Sequence, residues 1–391
     1  MTKEEFWAVF DKGIERKNTS CLKWDGMEKI YGKADLIPLW VADMDFPSPA
    51  EVTQALVARA KHGVYGYPAV DPAMKEAVCD WMRERHGLAI APERIISSPG
   101  VVDSLSFVLN AFTQPGDLVA IQPPVYGPFE RSVHQTGRTL FKNPLVQTDA
   151  GWQMDLDGLE EGLRQGVKML ILCSPHNPVG RVWTREELEA VCALCGRYGA
   201  RILSDEIHAD FELPGHHHTP LLCLQEDAIC LVSATKTFNL AGLRNSSMLF
   251  GSTKDKETME AYLRTTGIGE ENIFGTLAQT AAYRYGAPWL DALLDYLDET
   301  RKAVEESVRR LMPRCSVSTL EGTYLMWLDM REYGLSPAQL EELFVQKAGV
   351  ALSNGANFCS EGSGFMRVNI ATPRKNVLLA LERMAEALAT L

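Results

Sequence analysis

The chain has 391 residues, nine cysteines and a formal net charge of −12. That length predicts one large and one smaller domain, and the acidic balance excludes nucleic acid as a default partner, because phosphate binding needs a basic face. No apolar run reaches the roughly 18 residues of a membrane span, the first ten residues lack the apolar core of a signal peptide, and scattered, odd-numbered cysteines fit a reducing cytoplasm better than a disulfide framework.

Residues 1–10 are charged and helical in pattern. Two distinctive strings follow, Trp40-Val41-Ala42-Asp43-Met44-Asp45-Phe46-Pro47 and the turn-like His62-Gly63-Val64-Tyr65-Gly66-Tyr67. Apolar runs then alternate with amphipathic stretches. Strands are expected at 94–97, 118–121, 168–173, 201–205, 229–233 and 247–250, with helices between them such as 101–112 and 185–198. This alternation is the signature of an α/β fold, a mostly parallel sheet flanked by helices. From about residue 289 the pattern changes. A long charged helix at 289–311 leads to strands at 316–318 and 324–329, a helix at 337–348, a strand at 366–370 and a last helix. That order reads as a smaller α+β domain.

Motifs sit at the ends of the expected strands. Ser97-Ser98-Pro99-Gly100-Val101-Val102 leaves a strand and opens a helix. Its unpaired N–H groups at Gly100, Val101 and Val102 suit a phosphate, although an ordinary strand-to-helix turn has the same look. Tyr126 follows a double proline, and Asn177 lies in Cys173-Ser174-Pro175-His176-Asn177-Pro178. Thr184 and Glu187 form a capping box. Leu188, Val191, Cys192, Cys195 and Tyr198 then fall at helical spacing, so both cysteines of this C-x-x-C read as packing residues rather than metal ligands. Asp205 and His208 close the next strand in Ser204-Asp205-Glu206-Ile207-His208. His216, His217 and His218 follow Pro214-Gly215 and read as a surface loop, since adjacent residues cannot all face one ion.

Lys236 stands in Ser233-Ala234-Thr235-Lys236-Thr237-Phe238-Asn239, directly after an apolar run. Small hydroxyl residues flank a lysine where a buried strand ends. Desolvation there lowers an amine's pKa and leaves it able to attack an aldehyde. Ser233, Thr235 and Arg244 are further candidate phosphate contacts. Arg367, near the C-terminus, offers two parallel hydrogen bonds to a carboxylate. A lysine, an acid for a pyridinium nitrogen and an arginine for a carboxylate make a pyridoxal phosphate (PLP) site for an amino-acid substrate. Neither G-x-G-x-x-G nor a P-loop string is present, so dinucleotide and NTP readings lose their main support.

This set, in this order, resembles the fold-type I PLP enzymes of the aspartate aminotransferase superfamily. The Trp40–Pro47 and His62–Tyr67 strings, Asp205-Glu206-Ile207-His208 and Thr235-Lys236-Thr237-Phe238-Asn239 resemble its MalY/PatB-type cystathionine β-lyase group. The resemblance implies an N-terminal segment (1–47) packing on the small domain, a large PLP-binding domain (48–286) and a small C-terminal domain (287–391). It implies Lys236, Asp205 and Tyr126 as catalytic residues, with Tyr126 stacking on the cofactor ring. Asn177 and His208 would attend the cofactor's phenolic oxygen, and Arg367 with Asn177 would hold the substrate carboxylate. Tyr67 would reach the phosphate of a neighbouring subunit, making a homodimer with shared sites. The implied reaction is β-elimination from L-cystathionine or related cysteine S-conjugates. Local motif chemistry alone leaves an aminotransferase open, a reading Arg244 favours, and a PLP-binding regulatory protein is the alternative of another class.

Overall fold

The computed structural model describes residues 1–69, 72–268 and 272–391. Seven strands build the main sheet: β1 (Ile95–Ser98), β2 (Leu118–Ile121), β3 (Thr139–Lys142), β4 (Val167–Cys173), β5 (Arg201–Asp205), β6 (Ile229–Val232) and β7 (Ser246–Phe250). Their spatial order is β1-β7-β6-β5-β4-β2-β3. β7 is antiparallel to both neighbours, and every other pair is parallel. Strands covered on both faces must be apolar on both. β4 is buried except for Lys168, and all of β6 is buried.

Helices supply the cover. Val101–Phe112 turns Val101, Leu105, Val108 and Leu109 inward, and burying each such side chain is worth roughly 1.5–3 kcal/mol. Arg185–Tyr198 starts on the Thr184/Glu187 capping box and buries Leu188, Val191, Cys192 and Cys195, so the C-x-x-C is packing. All nine cysteines are free.

A second sheet holds β8 (Ser316–Val317), β9 (Leu325–Asp329), β10 (Ser353–Asn354) and β11 (Phe365–Asn369) in the order β8-β9-β11-β10. All its pairs are antiparallel. The N-terminal helix Lys3–Lys12 lies on helix Ala287–Leu311, where the Phe10 ring meets Trp289 at 5.6 Å and Tyr296 at 5.5 Å. Ile37–Pro38 pairs in parallel with Val350–Ala351.

Three expectations need correction. β3 has no counterpart among the expected strands, because it is a short edge strand with no fully buried residue to mark it. The helix at 337–348 is α-helical only over Pro337–Glu342 and continues as a π-helix over Leu343–Ala348. The three-histidine loop divides: the His217 side chain is 89% exposed, whereas His218 is buried with Nε2 3.3 Å from Glu206 Oε2. A buried carboxylate needs a partner, and His218 serves Glu206. Among the described residues no group of three potential ligands could hold a metal ion, and no helix is long and apolar enough to cross a membrane.

Candidate active site

Cys173 of β4 is level with Asp205 of β5, which is level with Leu231 of β6. Three adjacent parallel strands therefore end together, and the crevice outside such carboxyl ends is where open α/β sheets bind ligands. Asn177 lies just past β4, Asp205 ends β5 and Lys236 lies just past β6.

Asp205 is buried, and its Oδ1 accepts the N–H of Ile207 at 3.1 Å. Among the described residues it forms no ion pair. Burial pushes its pKa up to about 7, against the pull of that N–H and of Lys236. A carboxylate held dry without a counter-charge is poised to accept a cationic N–H. Lys236 keeps part of its surface open to the crevice, while its amine sits deep among protein atoms. The amine donates to the Ala42 carbonyl at 2.6 Å. Burial, reinforced by the Arg367 charge, lowers its pKa to about 8, with Asp43 and Asp205 opposing. An amine with that pKa is nucleophilic near neutrality.

Arg367 comes from the second sheet, on β11, opposite Trp327 and Ser353. It is 5% exposed. Nη1 donates to Asn177 Oδ1 at 3.0 Å, and Nη2 donates to the Trp40 carbonyl at 2.9 Å and Ser353 Oγ at 3.2 Å. Its guanidinium lies 4.6 Å from the Phe358 ring centroid, and among the described residues Nε has no partner. Burial lowers its pKa to about 10. A buried guanidinium facing only neutral acceptors is a receptor for an anion.

His208 is buried between Phe211 and Tyr324, with ring centroids at 6.0 and 5.9 Å. Burial, with the charges of Lys236 and Arg367, holds its pKa well below the ordinary range, so the ring is neutral. Its Nδ1 is buried without a partner. Tyr126 is largely enclosed, and burial raises its pKa. The chain beside it approaches residues 355–357 so closely that a Cβ at Gly127 would stand 2.6 Å from the Asn357 carbonyl oxygen.

The adjoining stretch of the same sheet edge carries the phosphate candidates. Ser246 of β7 is level with Ser98 of β1, and Ser247 with Val232 of β6. This register sets the start of helix Val101–Phe112, with Gly100 and Val102 half-buried, on the same sheet edge as Ser233. The Ser233 hydroxyl donates to the Asn245 carbonyl at 2.7 Å and accepts the Thr235 N–H at 3.1 Å. Arg244 lies beside them: its side chain is 63% exposed, and Nη2 pairs at 3.0 Å with Oδ2 of Asp103, in the first turn of that helix. Tyr67 is 90% exposed and joins nothing in its own chain's site.

Sequence reasoning missed the groups that orient the cations. These are the carbonyls of Trp40 and Ala42, Ser353, Phe358 and Tyr324, whose hydroxyl donates to the Ala42 carbonyl at 2.9 Å. The Trp40–Pro47 string was a marker without a role, Ser353 lies on a two-residue strand too short to show periodicity, and Phe358 lies in irregular chain.

The residues fit pyridoxal phosphate: an acid, a near-neutral lysine, a histidine nitrogen and an arginine converge on one crevice, and among the described residues the acid has no ion pair, the histidine nitrogen no hydrogen bond and the arginine no acidic partner. Fold and site together define a fold-type I PLP enzyme. The comparisons agree. Residues 34–384 match the family model for aminotransferase class I and II. The chain is similar to cystathionine beta-lyase PatB of Bacillus subtilis (strain 168), 40% identical over 385 residues that cover 97% of this chain and 100% of that one. It is 32% identical to protein MalY of Escherichia coli (strain K12), over 94% of this chain and 95% of that one. The crystal structure of cystalysin from Treponema denticola, which contains a pyridoxal 5'-phosphate cofactor, superposes with a TM-score of 0.93 at 32% identity, covering 97% of this chain and 98% of that one. The chain belongs to the class I and II aminotransferase family and, within it, to the MalY/PatB-type group.

Proposed function

We infer that the protein is a PLP-dependent carbon–sulfur β-lyase that converts L-cystathionine, or another cysteine S-conjugate, and water to a thiol, pyruvate and ammonia. The observation that carries this reading is a buried Arg367 with no acidic partner among the described residues, held by Asn177 beside a lysine and an acid. Similarity to PatB and MalY supplies the choice of lyase over transferase.

When bound, the cofactor supplies a sink for the negative charge that develops at the substrate Cα. Arg367 and Asn177 grip the α-carboxylate, which fixes the direction of the Cα–H bond. Lys236 Nζ would take the Cα proton. Asp205 would hold the cofactor by its pyridine nitrogen and favour a proton there. The Cβ–S bond then breaks and the sulfur leaves as thiolate, a far better leaving group than an alkoxide. Water converts the remaining three-carbon unit to pyruvate and ammonia.

The working molecule is a cytoplasmic homodimer with shared sites, divided as 1–47, 48–286 and 287–391. Tyr67 supports the dimer. It stands exposed with Val64 and Tyr65, and an aromatic cluster in water is suited to a protein partner. The test is direct. Pure holoenzyme with L-cystathionine is assayed for pyruvate and free thiol, with and without 2-oxoglutarate. Pyruvate and thiol in both arms is the expected result. Glutamate formation without pyruvate from any cysteine S-conjugate would replace this reading with an aminotransferase.

A further inference from the structure

Behind the site lies a buried carboxylate that the reaction above does not use. Asp210 Oδ1 accepts from Trp81 Nε1 at 2.8 Å and lies 2.7 Å from His86 Nε2, while Oδ2 accepts from the Thr237 hydroxyl at 2.6 Å. Asp210 follows Asp205 on the same short stretch of chain, and Thr237 directly follows Lys236. One hydrogen bond therefore ties the segment carrying the acid to the segment carrying the lysine.

Thr237 is fully buried, and a threonine in a helical turn ordinarily bonds back to the carbonyl three or four residues earlier. Here the hydroxyl is turned onto Asp210 instead. The turn Ala234–Thr237 is a single helical turn, too short to hold its own geometry. His86 fixes the far side of Asp210. It ends helix Pro72–His86 with its side chain 1% exposed. Glu212 Oε1 lies 3.7 Å from its Nδ1, and the His218 ring, itself paired to Glu206, meets it edge-on at 5.7 Å. Burial opposes a charge on His86, yet Asp210 and Glu212 outweigh it and raise its pKa to about 9. A charged donor keeps Asp210 ionised and fixed.

We propose that Asp210, anchored by His86 and Trp81, is a positioning residue that sets the aim of Lys236 through the Thr237 hydroxyl. This rests on the reading of Lys236 as the cofactor-bearing lysine. Misplacing a reacting group by about 1 Å costs on the order of 100-fold in rate, so the tie acts on turnover rather than on substrate binding.

The test uses holoenzyme of Thr237→Val, which keeps the shape and removes the hydroxyl, and of Thr237→Ser, which restores it. Read-outs are kcat and KM on a cysteine S-conjugate, the pH midpoint of the cofactor's visible absorbance, and Tm. Thr237→Val is expected to lose about 10–100-fold in kcat with KM within about threefold, and to move the absorbance midpoint by about half a unit or more. Thr237→Ser is expected to recover both. Wild-type kcat and midpoint in Thr237→Val, whatever its Tm, overturns the proposal. If Thr237→Val does not fold, His86→Gln is read the same way, and an unmoved midpoint there overturns it. Failure of the underlying reading is visible separately, as cofactor that borohydride still fixes to a Lys236→Ala chain.

Discussion

Arg367→Met separates what this residue does for the reaction from what it does for the fold. In the protein the guanidinium is buried against Asn177 Oδ1, the Trp40 carbonyl and Ser353 Oγ, none of them charged. Taking an ion out of water costs several kcal/mol, and hydrogen bonds to a charged group return about 1.5–3 kcal/mol each. The two roughly cancel. Methionine follows the same path beside Phe358 without needing polar partners, and the Trp40 carbonyl keeps its bond from Ser353 Oγ at 2.7 Å. Stability should change little, with Tm within about 5 °C of the parent.

The reaction should respond quite differently. A gripped carboxylate takes two charge-assisted hydrogen bonds at about 1.5–3 kcal/mol each. Their loss removes about 3–6 kcal/mol, or about 100- to 10,000-fold in kcat/KM at 1.36 kcal/mol per decade. The assay compares kcat/KM for a cysteine S-conjugate with that for the matching cysteamine conjugate, which lacks the carboxylate. Parent and variant should differ on the first and coincide on the second. A loss below about tenfold on the first in a folded variant, or an equal loss on both, refutes the carboxylate role.

Two further outcomes follow from the site. Burial raises the Asp205 pKa from 3.8 to about 7, so the folded apoprotein binds this proton more tightly than the unfolded chain; the associated stability is present below about pH 4 and is lost as pH rises to about 7, by at most about 4 kcal/mol. The denaturant stability of apo Asp205→Asn should therefore gain on the parent between those pH values and level off above them, and a flat difference refutes the desolvated acid. If Tyr67 serves a partner's site, inactive Tyr67→Phe and inactive Lys236→Ala chains, mixed and allowed to exchange, should regain activity, because each heterodimer holds one site with neither defect; wild-type PLP affinity and turnover in Tyr67→Phe alone removes the basis for a shared site.

What was legible in the sequence was local. β2 and β5 coincide with the strands expected at 118–121 and 201–205; in β2 a strand buried on both faces writes a continuous apolar run. Helix Arg185–Tyr198 begins where its capping box predicts. Asp205 stands at the end of its strand and Lys236 just past the end of the next, where an apolar run stops. What was not legible depends on which distant surfaces meet. Nothing in Ser353 or Phe358 shows that both lie against Arg367. His218 looks like its neighbours His216 and His217 until Glu206 is seen behind it. Arg244 keeps a phosphate-binder's spacing from Lys236, but only the fold shows that its left-handed backbone at φ 48° brings it onto Asp103, in the first turn of helix Val101–Phe112.

The Trp40–Asp45 stretch explains how two sheets share one site. It presents one carbonyl to each functional cation: Trp40 to Arg367, and Ala42 to Lys236. Its backbone is held mainly by side chains. Asn369, two residues beyond Arg367, donates to the Val41 and Asp43 carbonyls at 2.6 Å each. Asn239, three residues beyond Lys236, accepts the Met44 N–H at 3.0 Å and donates to the Met44 and Phe46 carbonyls at 2.9 Å each. Asn239 does this from a left-handed backbone at φ 59°, which asparagine tolerates better than most residues. Arg16 and the fully buried Lys23 neutralise Asp45, and Arg16 also pairs with Asp43. The two stretches that carry the cations thus also clamp the strap that holds them. A shift of either sheet would move its asparagine, its carbonyl and its cation together. The separation between the amine and the guanidinium is therefore fixed by a closed circuit of hydrogen bonds rather than by either sheet alone, and reactions of a gripped amino acid need that separation constant.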